Sequence, residues 1–388
     1  MVKVFLVCSG LGHVKRGYES FTQECFDVLS QIDSLDITLF KGGGQPCKKE
    51  ITLWNFPRDK WITNQISKFV VGSVYRRTDT YFTEQLSFFF SLLPYIYRHK
   101  PDVIYFSDES VGDLLWHWRL RTKQNYRLLF CNGGPTSRMC NIVRWDYVQQ
   151  IAPTHFQAAL DIGLPAHKQS LVPCGINMPS QVQILTPDER EALRRRLELP
   201  ERQPLILSVA SIDNSRKRMD YLIRELAALP ESRPYLVLLG QPSYESPEIY
   251  QLAEKLLGSA HFQIKSVPHH EVVNYYKIAD AFVLASIVEG FGRVFAEAMS
   301  YGLPCMAHDY EIAHFALGKD GYFADFTGEG SLTRLIPLAL AESHDTSKRI
   351  LRHETVYNRF SWEKLRTEYI KLLEHGKKSE MSYVKSVE

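Results

Sequence analysis

Two successive α/β units, each a parallel sheet with helices on both faces, are the fold this sequence predicts. Three observations lead there. Short, near-continuous apolar runs alternate with stretches of helical spacing, the order that βα units produce. The runs do not alternate apolar with polar residues, so both faces of each sheet are covered. Glycine turns close the runs, at Gly10, Gly42-Gly43-Gly44, Asn132-Gly133-Gly134 and Gly240, and the cycle restarts between residues 178 and 200. A length of 388 residues, 45% hydrophobic and 23% charged, suits two or three globular domains.

In chain order, Val2–Cys8 is a buried strand and Glu19–Ile32 a helix, with Phe21, Cys25, Val28 and Leu29 on one face. Asp36–Phe40, Val103–Phe106 and Arg127–Cys131 are further strands, the last expected to close the first unit. Thr186 opens a charged helix over Pro187–Leu197. The second unit has strands at Leu205–Val209, Tyr235–Leu239, Phe262–Val267, Ala281–Ala285 and Cys305–Ala307. Helices are expected at Tyr221–Leu229, Ser246–Leu257, Val272–Ile278, Arg293–Tyr301, Leu332–Glu342 and Ser361–Leu373, followed by a polar, frayed tail.

Composition excludes several classes. Net charge is +2, from 46 Lys+Arg against 44 Asp+Glu, far less basic than a partner of nucleic acid needs to be. That balance is uneven: residues 1–185 carry 20 Lys+Arg and 15 Asp+Glu, residues 186–388 carry 26 and 29. No apolar run reaches the ~18–20 residues of a membrane span. Too few apolar residues precede Gly10 for a signal-peptide core. The seven cysteines, including Cys140, are widely spaced with no CxxC, which fits reduced thiols in a cytoplasmic chain. Neither an HExxH motif nor a pair of aspartates at i and i+2 occurs, so no metal is expected.

Chemistry concentrates in Glu289-Gly-Phe-Gly-Arg-Val-Phe-Ala-Glu297, after the strand Ala281–Ala285. Gly290 and Gly292 precede a helix starting near Arg293, and a glycine turn at a helix N-terminus suits a phosphate. Ionised Glu289 and Glu297 only accept hydrogen bonds, so they suit hydroxyls. Hydroxyls at both ends of a diphosphate describe a nucleotide-sugar. With Tyr276, Ala279–Leu284 and Ser286 before it and Gly302-Leu303-Pro304 after it, the stretch resembles the EX7E motif of retaining GT-B glycosyltransferases of the family 4 type. The resemblance covers roughly residues 205–330.

That resemblance implies two Rossmann-like domains facing across a cleft. Residues 1–178 would bind the acceptor and 179–358 the nucleotide-sugar donor, with 359–388 a helix packing back on the first domain. It implies a metal-independent hexosyltransferase without cofactor, UDP being the commonest donor nucleotide and GDP or ADP the alternatives. A related epimerase or phosphorylase, or an inactive nucleotide-sugar-binding module, is the competing reading. Lys217, ahead of Asp220 and Leu222, takes the place of the lysine that meets the donor diphosphate. Ser211 stands where the family usually has an arginine, and the sequence does not choose among Arg216, Arg218 and Arg293 as its replacement. Phe291 belongs to the same donor-binding set.

Four weaker sites complete the reading. Gly10-Leu11-Gly12-His13 follows the first strand and opens a helix; with Lys15 at the third glycine position it is no dinucleotide fingerprint. It places Gly12 against the donor, Gly10 on the acceptor side and His13 as a catalytic candidate. Asn132 and Gly133 would form part of the acceptor wall, with His155 as a loop residue; His269 and His270 follow a strand where relatives meet the base. Finally, Trp54–Lys100 holds 12 aromatics in 47 residues, Trp61, Phe69 and Tyr75 among them, together with Lys60, Lys68, Arg76 and Arg77. Ordinary core, a soluble or lipid-linked acceptor site, and a peripheral contact on the inner face of a membrane are its three readings.

Overall fold

The computed structural model describes residues 1–14, 16–75, 77–134 and 141–381. Lys15, Arg76 and Cys140 lie outside the described residues. The chain forms two compact units, Met1–Gly175 with the chain from Leu365 onward, and Ile176–Lys364. Among the described residues, no helix is long and apolar enough to cross a membrane.

The first unit holds seven parallel strands: β1 (Val2–Cys8), β2 (Leu35–Lys41), β3 (Glu50–Thr52), β4 (Val103–Phe106), β5 (Arg127–Asn132), β6 (Tyr147–Gln150) and β7 (Gln169–Leu171), in the order β3-β2-β1-β4-β5-β6-β7. Phe5, Val7, Phe40, Phe106, Phe130 and Trp145 fill its core, each worth roughly 1.5–3 kcal/mol of burial. The strand ending at Asn132 is not the last of this unit, as expected from sequence; β6 and β7 follow it. Glutamine disguises them. Gln149, Gln150 and Gln169 are buried, and their amides bond to one another and to backbone: Gln150 Nε2 donates to Gln169 Oε1 at 2.8 Å and Gln149 Nε2 to the Val172 carbonyl at 2.7 Å. Satisfied amides occupy places that periodicity reserves for apolar residues.

The aromatic stretch divides. Helix Thr80–His99, capped by Asp79 accepting from the Phe82 amide at 2.7 Å, buries Phe82, Phe88, Phe89, Leu92 and Ile96. The preceding helical segment, Trp61–Tyr75, is two-faced. Thr63, Ser67 and Val71 are buried, Val71 clustering with Phe82 and Leu86, and Ser67 Oγ lies 2.7 Å from Thr83 Oγ1. Trp61, Ile62, Phe69, Val74 and Tyr75 are exposed. Ser67–Val71 is a wide, π-type turn, closed by the Gly72 amide on the Ser67 carbonyl.

The second unit holds β8 (Leu205–Val209), β9 (Tyr235–Leu239), β10 (Phe262–Lys265), β11 (Ala281–Leu284), β12 (Cys305–His308) and β13 (Tyr322–Ala324), all parallel, in the order β10-β9-β8-β11-β12-β13. Helix Pro187–Arg196 enters through a capping box, the Glu189 amide donating to Thr186 Oγ1 and Glu189 Oε2 accepting from the Thr186 amide at 2.8 Å. Its Arg190 and Arg194 reach Asp280 at 2.6 and 2.8 Å, and the Leu205 amide donates to the same carboxylate at 2.8 Å. One buried acid thus ties that helix to the starts of β8 and β11. Strand β13 and helices Glu311–Leu317 and Thr346–Phe360 go unread in the sequence. The last buries Arg349, Arg352 and His353 alongside Val356 and Phe360, so its buried face is largely polar in sequence.

Candidate functional site

Strand order places the site. In the second sheet β8 and β11 are neighbours, while the chain leaves β8 for β9 on one side and β11 for β12 on the other. At such a switch point the following loops part and leave a crevice at the carboxyl ends of the strands. The loop after β8 carries residues 210–218, and the loop after β11 carries Ser286–Gly292.

The first loop is organised by acids rather than by its cations. Asp213 accepts from the Lys217 amide at 2.8 Å, from the Arg216 amide at 3.0 Å, and from Ser211 Oγ. Burial opposes its ionisation, but these bonds outweigh it and hold its pKa below the ordinary value. Glu245 clamps the same loop through the Asn214 and Ser215 amides. The Lys217 side chain then bonds to Glu289 Oε1, which also accepts from Ser286 Oγ at 2.6 Å. An ammonium has three protons, so Lys217 keeps donors for a phosphate while it holds Glu289.

The other cations go elsewhere. Arg218 takes φ +52° at the start of helix Met219–Ala227 and donates to the Phe326 carbonyl at 2.6 Å, its guanidinium lying 4.4 Å from the Tyr221 ring centroid. Arg216 is largely exposed and pairs with Asp213 at 3.4 Å. Arg293 is buried with its Nε 3.8 Å from Glu297 Oε1.

Gly292 has φ +72°, a conformation glycine tolerates, and the helix Arg293–Ser300 starts directly after it. Phe291 is buried against Phe315 and Phe360, so its ring is an anchor for the turn and only its backbone is left for a donor. Glu297 accepts from the Tyr276 hydroxyl at 3.1 Å. Tyr276 stacks on Tyr301 with centroids 5.7 Å apart. Burial, then the nearby Glu297 charge, push the Tyr276 hydroxyl pKa up, so it stays a donor.

Sequence reasoning missed Asp213, Ser286, Tyr276 as a partner of Glu297, and Tyr310. The Tyr310 hydroxyl is buried without a hydrogen-bond partner among the described residues, and burial and the Glu289 charge raise its pKa. Asp213, two residues after Ser211, was the one legible signal, an Asx-type turn former beside a cationic loop. His269 and His270 are exposed at the start of helix His269–Ile278.

The remaining candidates lie in the first unit. Gly12 has φ +91°, and a Cβ there would come 2.2 Å from the Gly43 carbonyl, because loops 10–14 and 42–44 touch backbone to backbone. His13 Nε2 lies 2.9 Å from Asn55 Oδ1. The Gly10 turn does not open the helix directly, since Gly17–Leu29 begins seven residues on. Asn132 is fully buried and donates to Gln150 Oε1 at 2.7 Å, so its side chain belongs to the glutamine ladder; among the described residues nothing lies within 4 Å of a Cβ placed on Gly133. His155 is no loop residue: it is buried in helix Pro153–Asp161, and burial lowers its pKa. The unit's own switch point, between β1 and β4, holds a polar cluster absent from the sequence reading. Asp108 accepts from the Ser9 amide at 2.8 Å and the Tyr81 hydroxyl at 3.1 Å, Arg58 pairs with Glu84, and burial raises the Asp108 pKa. Among the described residues, no group of three or more His, Cys, Asp or Glu side chains is placed to hold a metal ion.

Residues 189–359 match the family description "Glycosyl transferases group 1". The matched stretch lies within the second unit. Among curated relatives, D-inositol 3-phosphate glycosyltransferase of Stackebrandtia nassauensis is 31% identical over 151 residues, 36% of this chain and 33% of that protein. Lipopolysaccharide glucosyltransferase WaaG of Escherichia coli is 32% identical over 137 residues, 35% of this chain and 36% of its own. The chain spans about a third of the length of these relatives. Sucrose-phosphate synthase from Thermosynechococcus elongatus superposes with a TM-score of 0.76 at 19% identity, over 96% of this chain and 98% of that one. HepE of Anabaena, solved with UDP and glucose, gives 0.72 at 15% identity, over 96% and 100%. The two parallel sheets, of seven and six strands, are those of the GT-B fold.

Proposed function

We propose that this chain, whose second unit carries the match to group 1 glycosyltransferases, transfers a hexosyl group from a nucleoside-diphosphate sugar to an acceptor hydroxyl with retention at the anomeric carbon. The observation that carries this reading is the Lys217–Glu289 contact at the β8/β11 switch point, beside the glycine turn that opens helix Arg293–Ser300. Lys217 and the helix N-terminus stabilise charge growing on the leaving diphosphate. Glu289, steered by Ser286, holds the hydroxyls of the transferred sugar and fixes its attack geometry. Glu297 accepts from the ribose. The C1–O bond to the diphosphate breaks, the acceptor oxygen bonds to C1 on the same face, and its proton passes to the departing phosphate oxygen. HepE was solved with UDP and glucose, which favours a UDP-sugar.

The deciding experiment is a thermal-shift series with UDP-, GDP- and ADP-sugars, followed by nucleoside-diphosphate release with sugar and lipid-linked acceptors. A donor at ~100 times its Kd should stabilise by about 2.7 kcal/mol. No shift with any of the three, and no release, would overturn the assignment. Isomerisation of the donor without acceptor would favour the epimerase reading.

The exposed face of Trp61–Tyr75 supports a peripheral contact with an anionic lipid surface. Trp61 is 73% and Phe69 72% exposed, with Ile62, Val74 and Tyr75 beside them and Lys60 and Lys68 at hand. Apolar side chains flanked by lysines are what a charged interface takes up. Co-sedimentation with phosphatidylglycerol vesicles is expected, and the double substitution Trp61→Ser, Phe69→Ser should weaken it at least tenfold, since each side chain contributes roughly 1.5–3 kcal/mol when buried. Equal sedimentation of both proteins removes this contact.

A further inference from the structure

The amino edge of the second sheet carries a cavity that the donor site does not use. Arg190, Lys277, His344, Thr346 and Arg349 line a volume of about 250 Å³, and none of the lining residues is a carboxylate. The acids nearby are engaged. Asp280 is taken by Arg190, Arg194 and His344, and Asp345 accepts from the Lys348 amide at 3.1 Å. Glu342 pairs with Lys348 and Arg352.

Arg349 makes the cavity more than a cationic surface. It is only 7% exposed, and while one end donates to the Tyr301 carbonyl at 3.0 Å, its buried Nε has no hydrogen-bond partner among the described residues. A buried charged donor without an acceptor is costly, and an anion beside the guanidinium offsets part of that cost through its charge. Burial, then the Arg190 charge, push the Arg349 pKa down, with Asp280 opposing the shift.

We propose that this cavity is an anion site for phosphate, free or as a phosphate monoester, distinct from the donor site. Guanidinium groups fork onto phosphate oxygens, and the Lys277 ammonium adds a point charge from the end of helix His269–Ile278. The volume suits phosphate with a small substituent and is too small for a nucleotide-sugar. The site also touches the donor machinery by contact: Arg349 holds the Tyr301 carbonyl, Tyr301 stacks on Tyr276, and Tyr276 bonds Glu297.

The test is thermal shift of the full chain with inorganic phosphate, then glucose 6-phosphate, against chloride at matched ionic strength. Lys277→Glu removes the accessible cation without disturbing buried Arg349, and Lys217→Ala removes the donor-site cation. A saturable rise of about 2–5 °C at ten times the apparent Kd is expected in the parent and in Lys217→Ala, and none in Lys277→Glu. A rise with inorganic phosphate identifies the free anion as sufficient; a rise with glucose 6-phosphate alone identifies a monoester. No rise with either, a rise that survives Lys277→Glu, or one lost with Lys217→Ala overturns the proposal. A melting point of Lys277→Glu in chloride within a degree of the parent shows that the variant is folded.

Discussion

Lys217→Ala is expected to leave the second unit folded and to cut sugar transfer by about 10²–10³, the usual cost of one preorganised donor to a developing anion. Two features make this a clean experiment. The loop holding Lys217 is shaped by Asp213 and Glu245 through backbone amides, so its course does not depend on the lysine side chain. The Lys217–Glu289 pair is also partly solvated, at 20% and 14% side-chain exposure, and such pairs contribute only about 0–1 kcal/mol to stability. The loss should fall on kcat and kcat/KM together, since diphosphate charge grows only as the bond breaks. Glu289→Gln keeps the shape and removes the charge, and it too should slow transfer, by weakening the grip on sugar hydroxyls. Unchanged turnover in Lys217→Ala would sink the leaving-group assignment while leaving the fold assignment intact.

Asp280→Ala should destabilise the second unit by about 3–5 kcal/mol, because it strands buried Arg194 without its counter-charge. For a unit of this size that lowers Tm by roughly 10 °C. The pH dependence follows from the same contacts. Burial alone raises the Asp280 pKa, but His344, Arg190 and Arg194 outweigh it and hold it well below the usual carboxylate range. A carboxyl with a depressed folded pKa contributes its stability above the unfolded value of about 3.9 and loses it as pH falls through the folded value. Acid titration of the parent should therefore show stability declining below about pH 4, and Asp280→Asn should flatten that part of the curve. A variant with the parent's melting point and acid profile would show that the arginines find other partners.

Where the chain announces its structure, it does so through apolar runs. β4, β8 and β9 fall at the residues that the sequence marks, and so does helix Ser246–Leu257, because each is buried on the side that periodicity detects. Two of the failures are polar. β6 and β7 hide behind Gln149, Gln150 and Gln169, and helix Thr346–Phe360 hides behind buried Arg349, Arg352 and His353. In each, hydrogen bonds do the work that hydrophobicity does elsewhere. The candidate site divides in the same way. Glu289 with its glycine turn, and Lys217 with its neighbours, are visible as linear motifs, and Asp213 acts within its own turn, whereas Tyr276 acts on Glu297, which only folding brings beside it.

The wide turn at Ser67–Val71 gives the exposed helical segment an unusual mutational logic. In a uniform α-helix eight residues advance about 80° beyond two full turns, so Val71 would drift off the face that Thr63 starts. The wide turn holds one more residue than an α-turn and absorbs that drift, keeping Thr63, Ser67 and Val71 on the buried side while Trp61, Phe69 and Tyr75 stay outside. Facing is therefore set by a count of residues as well as by their kinds. Deleting one residue between Lys68 and Val71 should turn the rest of this segment, Val71 to Tyr75, by about 100° relative to Thr63 and Ser67, a change of facing that no point substitution can produce.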